Sequence, residues 1–264
     1  MNEQVEVNYA MLDRPEVLMR LFHPRSETGG TIPGPNCTHL MIPVQEDIAI
    51  GACFHLAEEN APNILFFHGN GEIVADYHDI GALYAQAGIN FLPVDYRGYG
   101  RSGGSPTMSA IIRDCHVILD FATTWLLENE FTGPLVVMGR SLGSASALEL
   151  AARRQDEFTG MILESGYAYG TPLLELFGIQ VDNAADMEEK VFRHIQKINA
   201  FQKPALIIHA EYDHIIPFSD GRALFEACGS KNKTFLKIPG ADHNDILFRG
   251  LSEYMAAINT FIEC

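Results

Sequence analysis

The 264-residue sequence contains no run of roughly 18 consecutive apolar residues, the length a membrane-spanning helix needs. Its opening, Met1-Asn2-Glu3-Gln4-Val5-Glu6, has neither a basic nor an apolar segment, so no secretory signal is expected. Positive charge is scarce: 18 Lys and Arg stand against 34 Asp and Glu, a formal net charge of −16. Nucleic acids and anionic lipid surfaces reward the opposite balance, so neither is expected as a partner. Cysteines are few and unpatterned. The five (Cys37, Cys53, Cys115, Cys228 and Cys264) are odd in number, widely spaced and without CxxC or Cys/His ligand spacing. Free thiols in a reducing cytoplasm are the expectation, with no metal or organic cofactor implied. Repeats and low-complexity linkers are absent as well, and the length suits a single globular domain spanning 1–264.

What is present changes character near residue 60. Before it, short strands are expected at Leu18–Phe22, His39–Pro43 and Ile48–Phe54, the first two separated by a Gly/Pro-rich stretch from Gly29 to Pro35. After it come short, wholly apolar runs: Ile64–Phe67, Phe91–Val94, Leu135–Met138, Met161–Leu163 and Ala205–Ile208. Near-continuous apolarity over four or five residues suits strands buried on both faces of a parallel sheet. Helical periodicity lies between them, at about Ile73–Ala87 with Gly88 as the stop, about Thr107–Leu127, after Ser141, and about Phe248–Ile262. This alternation predicts an α/β fold: a mostly parallel sheet, helices on both faces, and antiparallel strands at the N-terminal side. Ligands of such sheets sit at the carboxyl ends of the strands.

Between two expected strands, residues 166–203 are too long for a simple crossover. The first part, Tyr167–Phe177, is apolar and aromatic. The second, Ala184–Ile198, is amphipathic, with Met187, Val191, Ile195 and Ile198 on one side and Asp182 or Asn183 suited to the N-cap. A small helical lid is expected here, with Tyr167, Leu173, Leu174 and Phe177 facing a substrate.

The chemistry centres on Gly139-Arg140-Ser141-Leu142-Gly143, which follows the apolar run Leu135–Met138 and precedes a small-residue helical run. A strand turning sharply into a helix through Gly-x-Ser-x-Gly exposes its serine in a strained turn. A second match, Gly100–Gly104 around Ser102, has no strand before it and reads as loop. Serine needs a base, and the base needs a carboxylate to fix its tautomer. In this topology the order is serine, acid, histidine. Asp213 lies just beyond the run ending at Ile208, ahead of its rivals Glu211 and Glu164. His243 follows the expected last strand, Thr234–Ile238, ahead of His214, His209 and His194. The developing oxyanion needs two N–H donors, expected from Leu142, after the serine, and from Asn70 in the His68-Gly69-Asn70-Gly71 turn. His68 reads as a structural histidine of that turn.

Together with Asp95-Tyr96-Arg97-Gly98-Tyr99-Gly100, these motifs resemble the α/β-hydrolase superfamily, closest to its small soluble serine hydrolases, the α/β-hydrolase-domain proteins that include esterases and acyl-thioesterases. The resemblance covers about residues 45–264. It implies Ser141, Asp213 and His243 as a triad, the Asn70 and Leu142 amides as oxyanion donors, and a structural role for Asp95 and Arg97. The function expected is cytoplasmic hydrolysis of a small-molecule ester or thioester through an acyl-enzyme. An amidase or peptidase with the same triad, and a non-catalytic binding module on the same fold, are the alternatives. Relatives with Asp or Cys nucleophiles are disfavoured because a serine stands at 141.

Overall fold

A computed structural model describes residues 9–28 and 37–263. The stretch Gly29–Pro35, the opening hexapeptide and Cys264 lie outside the described residues. Among the described residues the strands are β1 (Cys37–Gln45), β2 (Ile48–His55), β3 (Asn63–Phe67), β4 (Asn90–Val94), β5 (Leu135–Arg140), β6 (Gly160–Glu164), β7 (Ala205–Ala210) and β8 (Lys233–Ile238). They form one sheet in the order β1-β2-β4-β3-β5-β6-β7-β8. The first two junctions are antiparallel and all from β4 onward are parallel.

The helices are α1 (Pro15–Leu21), α2 (His78–Gln86), α3 (Met108–Glu128), α4 (Ser144–Arg154), α5 (Gly170–Leu176), α6 (Ala184–Met187), α7 (His194–Ala200), α8 (Phe218–Ala227) and α9 (Ile246–Ile262). Pleating sends alternate side chains of the central strands to opposite faces. Leu65, Phe67, Val137 and Ile207 enter a core shared with α3, α4 and α8, while Ile64, Phe66, Val136 and Leu206 enter a second core with α2 and α9. Both faces are therefore apolar, which is why these strands read as unbroken hydrophobic runs.

Three expectations are corrected. Residues 18–22 are not a strand. Leu18–Leu21 belong to α1 and Phe22 is its C-cap; the helix starts at Pro15, where a missing N–H costs nothing, and its Val17 and Leu21 are buried four residues apart on one side. The amphipathic stretch 184–198 is not one helix. Asn183 caps α6 through its side chain, accepting from Asp186 N at 3.1 Å. Wider turns at Glu188–Phe192 follow, and Arg193 adopts φ 56°, so α7 starts afresh at His194. Beyond the break His194 and Lys197 are buried, His194 Nδ1 lying 2.9 Å from Tyr167 O and Lys197 Nζ 2.9 Å from Glu149 Oε2.

The third correction concerns sulfur. Cys37 and Cys53 are disulfide-bonded, and only Cys115 and Cys228 among the described residues are free, both buried. The β1–β2 register places Cys37 opposite His55 and His39 opposite Cys53, so both cysteines share one face of the ladder as diagonal neighbours. Sixteen residues of sequence separation hide a pair that the hairpin makes adjacent.

Candidate active site

β5 runs straight into Ser141, which holds φ 50°, a left-handed conformation uncommon for a residue with a side chain. The flanking glycines are required by contact. A Cβ on Gly143 would strike the carbonyl of Phe67 in β3, and one on Gly139 would strike the carbonyl of Gly143. Ser144 Oγ donates to Ser141 O at 2.7 Å, and α4 begins there, so its positive dipole end lies at the serine.

His243 Nε2 lies 3.1 Å from Ser141 Oγ, and His243 Nδ1 lies 2.7 Å from Asp213 Oδ2. All three residues are buried. Asp213 sits three residues past β7, and its other oxygen accepts from Ile215 N (3.0 Å) and Ile216 N (2.7 Å), which aims Oδ2 at the imidazole. Burial alone would raise this carboxyl, but the hydrogen bond and charge of His243 and the Ile216 amide outweigh it, and its pKa falls below the ordinary value.

The rival residues have other partners. Glu211 pairs with Lys237 at 2.6 Å on the surface. Glu164 receives the Tyr254 hydroxyl at 2.7 Å, and burial raises its pKa despite Arg140 nearby. His214 faces Asp242 at 2.5 Å and is exposed; His209 Nε2 lies 2.9 Å from Ile216 O. Ser102 Oγ accepts from Gly51 N at 2.9 Å, holding a loop against β2. Arg97 grips Asp114 with two hydrogen bonds (2.6 and 2.9 Å), and Asp95 accepts from Val74 N at 2.9 Å.

The turn after β3 faces the serine. Asn70 spends its side chain on other segments: Oδ1 accepts from Tyr99 Oη (2.7 Å) and His23 N (3.0 Å), and Nδ2 donates to Leu21 O (2.6 Å). His68 lies wholly buried in the same turn, its carbonyl accepting from Tyr96 Oη at 2.6 Å. Asn70 and Leu142 join Ser141 and His243 in the wall of a cavity of about 180 Å³. Leu173 and Phe177 of the 166–203 segment line it too, with Leu21 and His23 from the N-terminal segment. Tyr167 and Leu174 do not. Both are 2 % exposed in the core, Tyr167 with its ring centroid 4.4 Å from that of His194.

Sequence reasoning missed a buried charged brace behind the site. Arg140 Nε meets Glu72 Oε1 at 3.0 Å, its Nη1 lies 3.6 Å from Glu164 Oε1, and its Nη2 donates to His243 O at 3.0 Å. Glu72 in turn accepts from Gly69 N and Tyr77 Oη, each at 2.6 Å. Burial would raise the Glu72 carboxyl, but Arg140, Tyr77 and the Gly69 amide hold it below the ordinary value. The brace thus ties the Gly69-Asn70 turn to the histidine loop. Arg140, the variable residue of the Gly-x-Ser-x-Gly motif, was its one visible sign.

The comparisons with known proteins agree with this architecture. A family model described as serine aminopeptidase, S33, matches residues 58–173. Protein bem46 of Schizosaccharomyces pombe is 29% identical over 223 residues, covering 76% of this chain and 70% of its own. The human alpha/beta hydrolase domain-containing protein 17B is 31% identical over 210 residues, covering 75% of this chain; the match spans 65% of the human protein's length. An esterase from Pyrococcus furiosus superposes with a TM-score of 0.72 at 18% identity, over 91% of this chain and 98% of that one. The fold is the α/β-hydrolase fold. The chain belongs to the α/β-hydrolase-domain proteins. No helix among the described residues is long and apolar enough to cross a membrane.

Proposed function

We propose that this chain is a serine hydrolase cleaving a carboxylic ester or thioester through an acyl-enzyme. The carrying observation is the unbroken line from Ser141 Oγ through His243 to Asp213, at 3.1 and 2.7 Å. His243 Nε2 takes the Ser141 proton as Oγ attacks the acyl carbon, then gives it to the leaving alcohol or thiol. Asp213 fixes the tautomer with Nδ1 protonated and stabilises the imidazolium. The backbone N–H groups of Asn70 and Leu142 receive the oxyanion. Water, activated by the same histidine, then frees the acid.

The cavity of about 180 Å³ holds roughly six water-sized groups, which suits an acyl or aryl group of modest size. Segment 166–203, with Leu173 and Phe177 over the serine, is assigned as the lid of a single 1–264 domain, and the cytoplasm as its setting. The match to the serine aminopeptidase family favours one second reading, a peptidase acting at an amino terminus.

A panel of nitrophenyl esters, acyl thioesters and aminoacyl nitroanilides decides between them. Ester and thioester turnover with an initial burst of leaving group is expected, with nitroanilides cleaved far more slowly. Turnover of nitroanilides alone would transfer the assignment to the peptidase reading, and a chain inert to all three would overturn the proposal.

A further inference from the structure

Away from the serine, at the outer edge of the sheet, the side chains of Cys37, Cys53, His55 and His78 converge until their ligand atoms all lie within 4.8 Å of one another. The hairpin builds three quarters of this cluster by arithmetic. Cys37 and His39 are two apart on β1, Cys53 and His55 two apart on β2, and the cross-strand register makes them one patch on one face. The fourth residue, His78, is the first residue of α2, which packs over that patch.

Among the described residues, Nε2 of His55 and both ring nitrogens of His78 are buried without a hydrogen-bond partner, as is Nε2 of the adjoining His39. His55 is only 5 % exposed. Orphaned buried polar atoms are uncommon because each forfeits its solvation, so several converging on one point indicate a missing partner. The ring centroids of His55 and His39 stand 5.6 and 5.9 Å from that of His78. Space is reserved as well: Gly81, one turn into α2, lies so close to the His55 ring that a Cβ there would overlap it.

We propose that Cys37, Cys53, His55 and His78 bind one zinc ion when the two cysteines are reduced, the disulfide being the oxidised, metal-free form of the same site. Two thiolates and two imidazoles are a donor set for tetrahedral zinc. Bonds of about 2.3 Å to sulfur and about 2.0 Å to nitrogen put the ligand atoms about 3.3–3.8 Å apart. The observed cluster needs only local side-chain rotation to reach that. In going from one form to the other, a thiol reductant such as glutathione supplies two electrons, the S–S bond breaks, and the reductant leaves as its own disulfide. The two protein thiols then lose two protons as zinc binds.

The site's position defines its role. His55 pairs with Phe91 at the beginning of β4, whereas Ala52 pairs with Val94 at its carboxyl end. The cluster therefore lies toward the end of the sheet opposite Ser141, and zinc there would fasten the β1–β2 hairpin to α2 without entering the hydrolytic reaction.

The test is titration of the metal-free protein with Co²⁺ under a phosphine reductant. One equivalent of Co²⁺ should give the intense visible absorption of a tetrahedral site and a near-ultraviolet thiolate-to-cobalt band, both erased by Zn²⁺. Zn²⁺ at a hundredfold excess over its Kd should raise the melting temperature by about 5 °C, with ester turnover unchanged. Cys53→Ser and His55→Ala should each weaken Co²⁺ binding at least about 100-fold, the upper range for the loss of even outer-sphere partners. Should reduction alone loosen the fold, Zn²⁺ must restore it. Folded, reduced protein that leaves Co²⁺ with only its weak aqueous absorption would overturn the proposal. So would an unchanged spectrum in both variants, or reduced protein that Zn²⁺ fails to refold.

Discussion

At the scale of the residue, the two carboxyls that compete for the acid's role are sorted by their surroundings. Asp213 takes two backbone amides and the imidazole, and its pKa falls; Glu164 takes a tyrosine hydroxyl in deeper burial, and its pKa rises. Asp213→Asn should preserve the fold yet lower kcat by about 10⁴, the size of loss that a wrong histidine tautomer produces. Glu164→Gln should cost less than about tenfold, because its contact with the site runs through Arg140 rather than through the imidazole. Steady-state kinetics on one ester separates the two. The reverse ranking would move the acid to the end of β6.

At the scale of the element, the pocket wall is shared by α5 and the segment that begins with α1. Leu173→Ala and Phe177→Ala should change kcat/KM progressively with acyl length, by about 0.8 kcal/mol per CH₂ in contact, while acetyl esters are nearly unaffected. Leu174→Ala should instead cost about 2–5 kcal/mol of stability with no chain-length signature, since its side chain lies in the core. The contrast shows what sequence can resolve here. The parallel strands, the elbow and the candidate positions Ser141, Asp213 and His243, which lie in one hydrogen-bonded line, were legible, because strands buried on both faces and a strand–serine–helix turn leave local patterns. Which side of a short helix faces a pocket is set by neighbouring elements, so Leu173 and Leu174 looked alike. The same limit hid α1, where Leu18–Phe22, four apolar residues around Arg20, resembled a strand although Pro15 marks a helix start. It also hid the break at Arg193, where the buried pairings of His194 and Lys197 accompany a left-handed residue inside an amphipathic pattern. The cysteine–histidine cluster was invisible for another reason: its spacing exists only across the hairpin and the helix packed on it.

At the scale of the whole molecule, the inserted segment is pinned to α4 by charge. Lys197 on α7 meets Glu149 on α4 at 2.9 Å, with both side chains buried. Burial pushes the Glu149 carboxyl up, but the hydrogen bond of His116 and the charge of Lys197 prevail and bring it to about 2. A carboxyl with a lowered folded pKa contributes stability that is complete above the ordinary range near 4.5 and lost as pH falls toward 2. Thermal melts should therefore drop through that window, and less steeply in Glu149→Gln. Glu149→Ala at neutral pH should cost about 3–5 kcal/mol, because it strands a buried ammonium. A melting temperature indifferent to Glu149 would show that α7 is held by packing alone. The central claim, that Ser141 is the nucleophile, is met most directly by intact-mass measurement after exposure to a fluorophosphonate. One adduct per chain, mapped to the peptide containing Ser141, is the predicted result, absent in Ser141→Ala and retained in Ser102→Ala. Hydrolysis should fall by about 10⁶ in kcat in the first variant alone. An adduct that persists in folded Ser141→Ala, or that maps to another residue, would contradict the account.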